Sequence, residues 1–176
     1  MPSLYIDTNV FLDFYQANTE RIEIFAEIEN RAQFIVLPEQ TIQEFRRNRV
    51  ARLESLAANI KRGSTPQLHT TAVIRAFPEF AEWTKHRDNA VISAKKIVDR
   101  IEQWIITPSS DQVLTAFEKI VSKANILKTT DESFEKAHRR KLLGQPPTSP
   151  DKHTIGDEMI WETLMAQVFD NLIFVT

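Results

Sequence analysis

Three carboxylates stand out by their position in the chain: Asp7, Glu44 and Asp157. Asp7 closes the first strand-like run, Leu4–Ile6, and Glu44 lies in the first two turns of the helical pattern after the second such run. Asp157 opens the helical pattern that leads into the last one. In a parallel α/β sheet the C-terminal ends of strands and the N-terminal ends of helices share one edge, where such folds place their sites. The three acids are therefore expected to meet, although they are far apart in sequence. Clustered carboxylates repel one another unless a cation lies between them, and hard divalent cations prefer oxygen ligands. A site of this composition favours Mg²⁺ or Mn²⁺ over zinc.

Each acid also has a purely structural role open to it. Asp7-Thr8-Asn9 has the form of a cap for a helix starting at Val10. Thr41-x-x-Glu44 and Thr154-x-x-Asp157 both have the form of capping boxes. It is the joint placement of all three on one edge that points to chemistry.

Competing chemistries lack their residues. The four histidines, His69, His86, His138 and His153, show neither H-x-H nor H-E-x-x-H spacing, which argues against a zinc hydrolase. His153 precedes Asp157 by one helical turn and reads as an exposed loop residue. Without cysteine there is no disulfide framework, thiolate zinc site, iron–sulfur cluster or thiol nucleophile. Only three glycines occur, Gly63, Gly144 and Gly156, where average usage would give roughly 12. Their spacing matches no phosphate-cradling loop, so P-loop hydrolysis and dinucleotide binding are excluded. A strand followed by aspartate also opens haloacid-dehalogenase-like phosphatases, but these need a second aspartate where this chain has Asn9. Ser109-Ser110-Asp111 reads as helix capping.

The elements that must position the acids follow from hydrophobic pattern. The chain has 176 residues, 42% of them apolar, which suits one domain over 1–176 with one substantial core. Four short apolar runs read as strands: Leu4–Ile6, Phe34–Leu37, Trp104–Ile106 and Leu172–Val175. Helical patterns lie between them. Ile22, Phe25 and Ile28 mark a helix over 20–30, and Ile42, Phe45, Leu53, Leu56 and Ile60 mark one from Pro38 to about Arg62. Residues 66–76 suggest a short helix, and Pro78 starts a long one to about residue 103, with Ala90, Val91, Ala94, Ile97, Val98 and Ile101 on one stripe. Further helices are expected after Pro108, from Asp131 to near Gly144, and from Gly156 to Val168. Residues 145–152 form the Pro-rich loop. The alternation implies an α/β fold with a parallel sheet flanked by helices and a helical elaboration at about 64–103.

Charge is segregated along the chain. The totals are 22 Lys+Arg and 24 Asp+Glu, a net charge of -2. Residues 1–30 nonetheless hold six acids and one base, and residues 46–62 hold six bases and one acid. Residues 119–152 carry eight bases and four acids. An acidic site beside a basic surface suits a polyanion, although mixed-charge helices also solvate their outer faces in this way. Arg47 and Asn48 share a helix face with Glu44, and Arg46, Arg49 and Arg52 spread around the same helix. Lys95, Lys96 and Arg100 flank the long apolar stripe, and Arg139, Arg140 and Lys141 end another helix. Trp83, Trp104 and Trp161 read as core residues. No apolar run approaches the ~18 residues that span a bilayer, and no signal-peptide pattern opens the chain. A cytoplasmic location is expected.

Ile6-Asp7-Thr8-Asn9-Val10, the Glu44 helix after Pro38-Glu39, Gly156-Asp157 and Leu172–Thr176 together resemble a PIN-like domain. The bacterial group with an enlarged helical middle is most similar, through the G-D-x-x-I-W-x-x-L stretch from Gly156 to Leu164. The resemblance covers almost the whole chain and is anchored in its first 15 residues, residues 36–50 and its last 21. It implies a three-layer fold with a short parallel sheet and a helical insertion.

The resemblance also implies a metal-dependent nuclease, usually of single-stranded RNA, with DNA as the other substrate open to it. Asp7, Glu44 and Asp157 match three of the family's acidic positions, and Asn9 matches an asparagine that orients the aspartate. Asp151 is a further candidate carboxylate for metal or substrate; Arg47, Asn48, Lys95 and Lys96 are the candidate nucleic-acid contacts. A toxin paired with an antitoxin, an RNA-processing module within a longer protein, and a homodimer are the settings it suggests. The family usually has another acid shortly after the last strand, where this chain reaches Thr176, so truncation of the C-terminus is expected. An incomplete metal site on a binding module is the alternative.

Overall fold

The run Leu4-Tyr5-Ile6 folds as β1 (Ser3–Ile6), whose Tyr5 and Ile6 are buried, and Leu172–Val175 folds as β4, an apolar strand whose Ile173, Phe174 and Val175 are exposed. The computed structural model describes residues 2–17, 19–64, 68, 70–148 and 154–176. Between the two strands the chain forms α1 (Thr8–Asp13), α2 (Thr19–Asn30), β2 (Val36–Pro38) and α3 (Glu39–Gly63). It continues through α4 (Ala72–Arg75), α5 (Pro78–Ile106), α6 (Gln112–Lys123), β3 (Asn125–Leu127), α7 (Asp131–Leu142) and α8 (Gly156–Gln167). The architecture is an α/β fold of short parallel strands with a helical insertion. Contacts divide it into two compact units, Met1–Arg49 with Gln112–Thr176, and Val50–Asp111.

All strands of the first unit are parallel. β1 pairs with β4 from Ser3↔Leu172 to Ile6↔Val175, and β2 pairs with β3 from Val36↔Asn125 to Pro38↔Leu127. A parallel bridge between Leu4 and Ile35 joins the two pairs, giving the order β3–β2–β1–β4. Strand period sends alternate side chains to opposite faces. On one face Tyr5, Val36 and Leu127 form a buried cluster with Ile160 and Leu164 of α8. Ile35 and Leu37, both fully buried, project from the other.

A set of phenylalanines draws α1, α2, α3 and α6 together. Phe45 and Phe117 stack with ring centroids 3.9 Å apart, Phe11 meets Phe117 edge-on at 5.0 Å, and Phe14 lies 3.9 Å from Phe25. Such pairs contribute about 0.5–1.5 kcal/mol each beyond the area they bury. On the other flank α7 packs along α8, and Arg140 donates to Glu162 Oε1 at 2.6 Å and to the Pro146 carbonyl at 2.6 Å. Lys141 Nζ lies 3.5 Å from Glu158 Oε1, whose side chain is almost wholly buried. Gly144, with φ of 64°, occupies the left-handed region that stops α7.

The second unit holds the C-terminal part of α3, α4 and α5. Pro78 opens α5 at its first turn, as its missing N–H allows. Of the expected stripe, Val98 and Ile101 are buried, whereas Val91 and Ile97 are exposed. Lys61 pairs with Glu102 at 3.0 Å.

Two elements differ from the sequence expectation. Trp104–Ile106 is the last turn of α5, because its apolar residues continue the helical stripe through Ile101. A short apolar run does not by itself distinguish a strand from a buried helix. The remaining strand is β3, whose only apolar residues are Ile126 and Leu127. Phe34 ends a 3-10 turn, so β2 begins at Val36. Of the helix expected over 66–76, α4 is the described part; residues 65–67 and 69 lie outside the described residues, as do 149–153 of the Pro-rich loop.

Candidate active site

Asp7 follows β1 directly, and its backbone N–H donates to the Val175 carbonyl at 2.8 Å, so β4 pins it at the sheet edge. It is also the N-cap of α1: its Oδ1 accepts the Asn9 backbone N–H at 2.7 Å. The structural role open to Asp7 is thus real, with the helix beginning at Thr8, two residues before the expected Val10. The corresponding roles fail for the other two acids. α3 begins at Glu39, which places Thr41 and Glu44 inside the helix. α8 begins at Gly156 with Ile155 as its N-cap, so Asp157 lies in the first turn and Thr154 does not cap it. Neither expected capping box is formed.

The charges of the three acids all act on one buried hydroxyl. Tyr5 lies two residues before Asp7 and, by strand period, on the same face of β1. It is 1% exposed, and its hydroxyl shares a 3.4 Å hydrogen bond with Thr41 Oγ1. Burial pushes the phenol pKa well above its ordinary value, and the bond to Thr41 opposes this. Asp7, Glu44 and Asp157 all raise it further by their charge. Carboxylates from β1, α3 and α8 therefore lie within electrostatic reach of the same hydroxyl.

Gly156 completes this arrangement. A Cβ at position 156 would collide with Glu44 Oε1 and stand 3.1 Å from Gln40 Nε2. The absence of a side chain there is what lets the Glu44 carboxylate lie against the start of α8. Gln40 Nε2 donates to Glu44 Oε1 at 2.8 Å, and Arg47 Nη2 lies 3.8 Å from the same oxygen. Among the described residues no three His, Cys, Asp or Glu side chains are grouped closely enough to hold a metal ion as they stand. The donor chemistry itself suits a hard divalent cation: three carboxylates and no sulfur.

The remaining candidates fall in different places. Asn9 is exposed and holds Asp7 through its backbone N–H. Its side chain lines an apolar groove of about 440 Å³ with Leu4, Ile6, Phe14, Ile24 and Val175. Arg47 and Asn48 are exposed on α3 beside Glu44. Lys95 and Lys96 are exposed on α5, in the second unit. Asp151 and His153 lie outside the described residues.

The basic surface is smaller than composition suggests. Arg49 is buried, Arg46 is held by Glu118 through two 2.9 Å bonds, and Arg140 and Lys141 are drawn to the acids of α8. Trp83, Trp104 and Trp161 are each half-buried. No helix among the described residues is long and apolar enough to cross a membrane.

Tyr5, Thr41 and Gln40 are site residues that sequence reasoning passed over. The period of β1 was the available signal for Tyr5, and the spacing Thr41-x-x-Glu44 pointed to the right pair for a different reason.

A parallel sheet carrying an aspartate at the end of its first strand, with carboxylates from two helix N-terminal regions beside it, defines an acidic-edged α/β fold. The PIN domain family matches residues 4–176, and the chain belongs to that family, whose members are generally nucleases. No curated protein and no solved structure matches the chain.

Proposed function

We propose that this PIN domain is a divalent-metal-dependent nuclease that hydrolyses phosphodiester bonds in single-stranded RNA. What supports this reading is the placement of Asp7 directly after β1, Glu44 on α3 and Asp157 in the first turn of α8, with the charges of all three acting on the Tyr5 hydroxyl and Gly156 leaving room for the Glu44 carboxylate. Asp7, Glu44 and Asp157 would hold Mg²⁺ or Mn²⁺, with Asp151 as a further candidate. When bound, such an ion supplies an activated water for in-line attack and stabilises charge on the leaving oxygen.

The protein's own groups do the positioning. The Asn9 N–H and the β4 pairing fix Asp7, so its carboxylate is oriented before substrate arrives. Gln40 and Arg47 hold Glu44 in place, and the exposed Arg47 guanidinium is suited to a phosphate oxygen. Asn48, Lys95 and Lys96 are proposed as contacts to the RNA backbone.

The test is incubation of the protein with single-stranded RNA and Mn²⁺, beside Asp7→Asn and Glu44→Gln and a chelated sample. Cleavage by the parent chain that is lost in all three is the expected result. Equal cleavage by parent and variants overturns the proposal. A second function, an RNA-binding module without catalysis, is favoured by the engagement of Glu44 with Gln40 and Arg47. It predicts RNA retention without cleavage, unchanged in Asp7→Asn.

A further inference from the structure

β4 is an edge strand with one side in use. It pairs with β1, and no strand among the described residues lies along its other side. The carbonyls of Asn171 and Val175 accept the N–H groups of Ser3 and Asp7, each at 2.8 Å. Strand period then turns the N–H and C=O groups of Leu172, Phe174 and Thr176 toward the open side. Unpaired edges are templates for another strand, and proteins blunt them with charge, proline or a bulge. The run Leu172–Thr176 has no charged side chain and no proline.

Both faces of β4 are apolar and open. Ile173 and Val175 are 52% and 36% exposed on one face, where Val175 borders the apolar groove. Phe174 is 42% exposed on the other, beside Tyr5 and Trp161. Met165, one turn beyond Trp161 on α8, is exposed as well. A strand with two apolar faces is suited to the inside of a sheet.

The occupant that fits is a second copy of the same strand. A two-fold contact sets a patch against itself, so any charge in it would meet its like, and β4 carries none. Antiparallel pairing centred on Phe174 sets Phe174 against the partner's Phe174 and Leu172 against the partner's Thr176. Every open N–H and C=O of the run is then used. Ile173 faces the partner's Val175, a close pair of β-branched side chains. The same register holds Asp170 of the two copies roughly 27 Å apart. The opposite edge of the sheet is a poor competitor, since β3 has three residues and lies between Lys123 and Lys128. A β4–β3 contact would also repeat without end, whereas β4–β4 closes as a dimer.

We propose that this chain forms a two-fold dimer by antiparallel β4–β4 pairing centred on Phe174, which joins the two sheets into one. Nothing in this contact depends on the nuclease function proposed above.

The experiment is sedimentation equilibrium of the full chain, 20.4 kDa as a monomer. A single dimeric species with a dissociation constant in the micromolar range is expected between about 1 and 200 µM. Ile173→Lys changes an exposed side chain and should weaken the dimer by at least about tenfold, with urea unfolding to check the fold. The chain has no cysteine, so oxidative crosslinking reads the register. Ile173→Cys combined with Val175→Cys should crosslink, because facing positions of this kind have Cα atoms about 4.5 Å apart. Ile173→Cys alone should not. A parent chain that stays at 20.4 kDa overturns the proposal and leaves the edge to a strand of another protein. A dimer unaffected by a folded Ile173→Lys variant overturns it too, since the contact is then elsewhere. So does a mass that keeps climbing with concentration, the mark of open edge-to-edge growth. Crosslinking by Ile173→Cys alone overturns the register centred on Phe174.

Discussion

Gly156 lies directly against the Glu44 carboxylate, so that a Cβ at position 156 would collide with Glu44 Oε1. The obstructing atom is the far end of a flexible side chain, and Gly156 is in the first turn of α8 without a positive φ. Gly156→Ala is therefore tolerated by the backbone, and alanine favours the helix by up to about 1 kcal/mol. Glu44 must swing away and give up its bond from Gln40, a loss of about 1 kcal/mol. The two effects nearly cancel, so unfolding free energy stays close to the parent value. Displacing the carboxylate by about 1 Å is expected to lower RNA cleavage by about a hundredfold. Paired urea-unfolding and cleavage assays check this; a variant with full activity would show that Glu44 need not occupy that position.

Asp7 has two roles, cap and candidate ligand, and two substitutions separate them. Asparagine caps a helix as well as aspartate, whereas alanine costs about 1 kcal/mol. Asp7→Asn should therefore unfold like the parent, and Asp7→Ala should unfold about 1 kcal/mol more easily. Both should lose cleavage, because neither carries the carboxylate. If Asp7→Asn retains cleavage, Asp7 is a cap alone.

The ion pairs divide by burial. Arg140 and Glu162 have side chains 23% and 11% exposed, and Arg140 also holds the Pro146 carbonyl. Arg140→Met leaves a nearly buried carboxylate without that partner and is expected to cost about 3 kcal/mol. Adding Glu162→Leu should recover most of the loss, since it removes the stranded charge. Arg46 and Glu118 form a two-bond pair that is far more exposed, 54% and 39%. Arg46→Ala should cost less than about 1 kcal/mol despite its better geometry. Chemical denaturation of the parent and these variants decides the order.

How much of this was legible in the sequence depends on whether one segment or two decided it. β1 and β4 are continuous apolar runs and could be read locally. β3 has two apolar residues and becomes a strand because β2 offers it a partner, which is not a local property. Trp104–Ile106 has strand-like residues but stays on the helix that its stripe continues. That Asp7 follows β1 and Asp157 lies in the first turn of α8 was legible, because both positions follow from local hydrophobic pattern. The Tyr5–Thr41 bond was not, since it depends on how β1 sits against α3. The basic surface was overread for the same reason. Arg49 is buried and Arg140 and Lys141 meet acids only because particular helices face each other.

The buried Tyr5 phenol also makes stability depend on alkaline pH. Burial, reinforced by three neighbouring carboxylates, holds its pKa well above the ordinary 10.0. An unfolded chain ionises the same phenol near pH 10. The folded state thus binds the proton more tightly, and its contribution is fully present below about pH 10. It is lost as pH rises from there toward the folded value, by up to about 1.4 kcal/mol per pH unit. Tyr5→Phe has no such group, and every other group is common to the two proteins. Urea unfolding of parent and Tyr5→Phe should therefore show the parent losing ground with that slope between about pH 10 and pH 11. Parallel curves would mean that Tyr5 ionises as readily in the folded chain as in the unfolded one and would overturn the prediction.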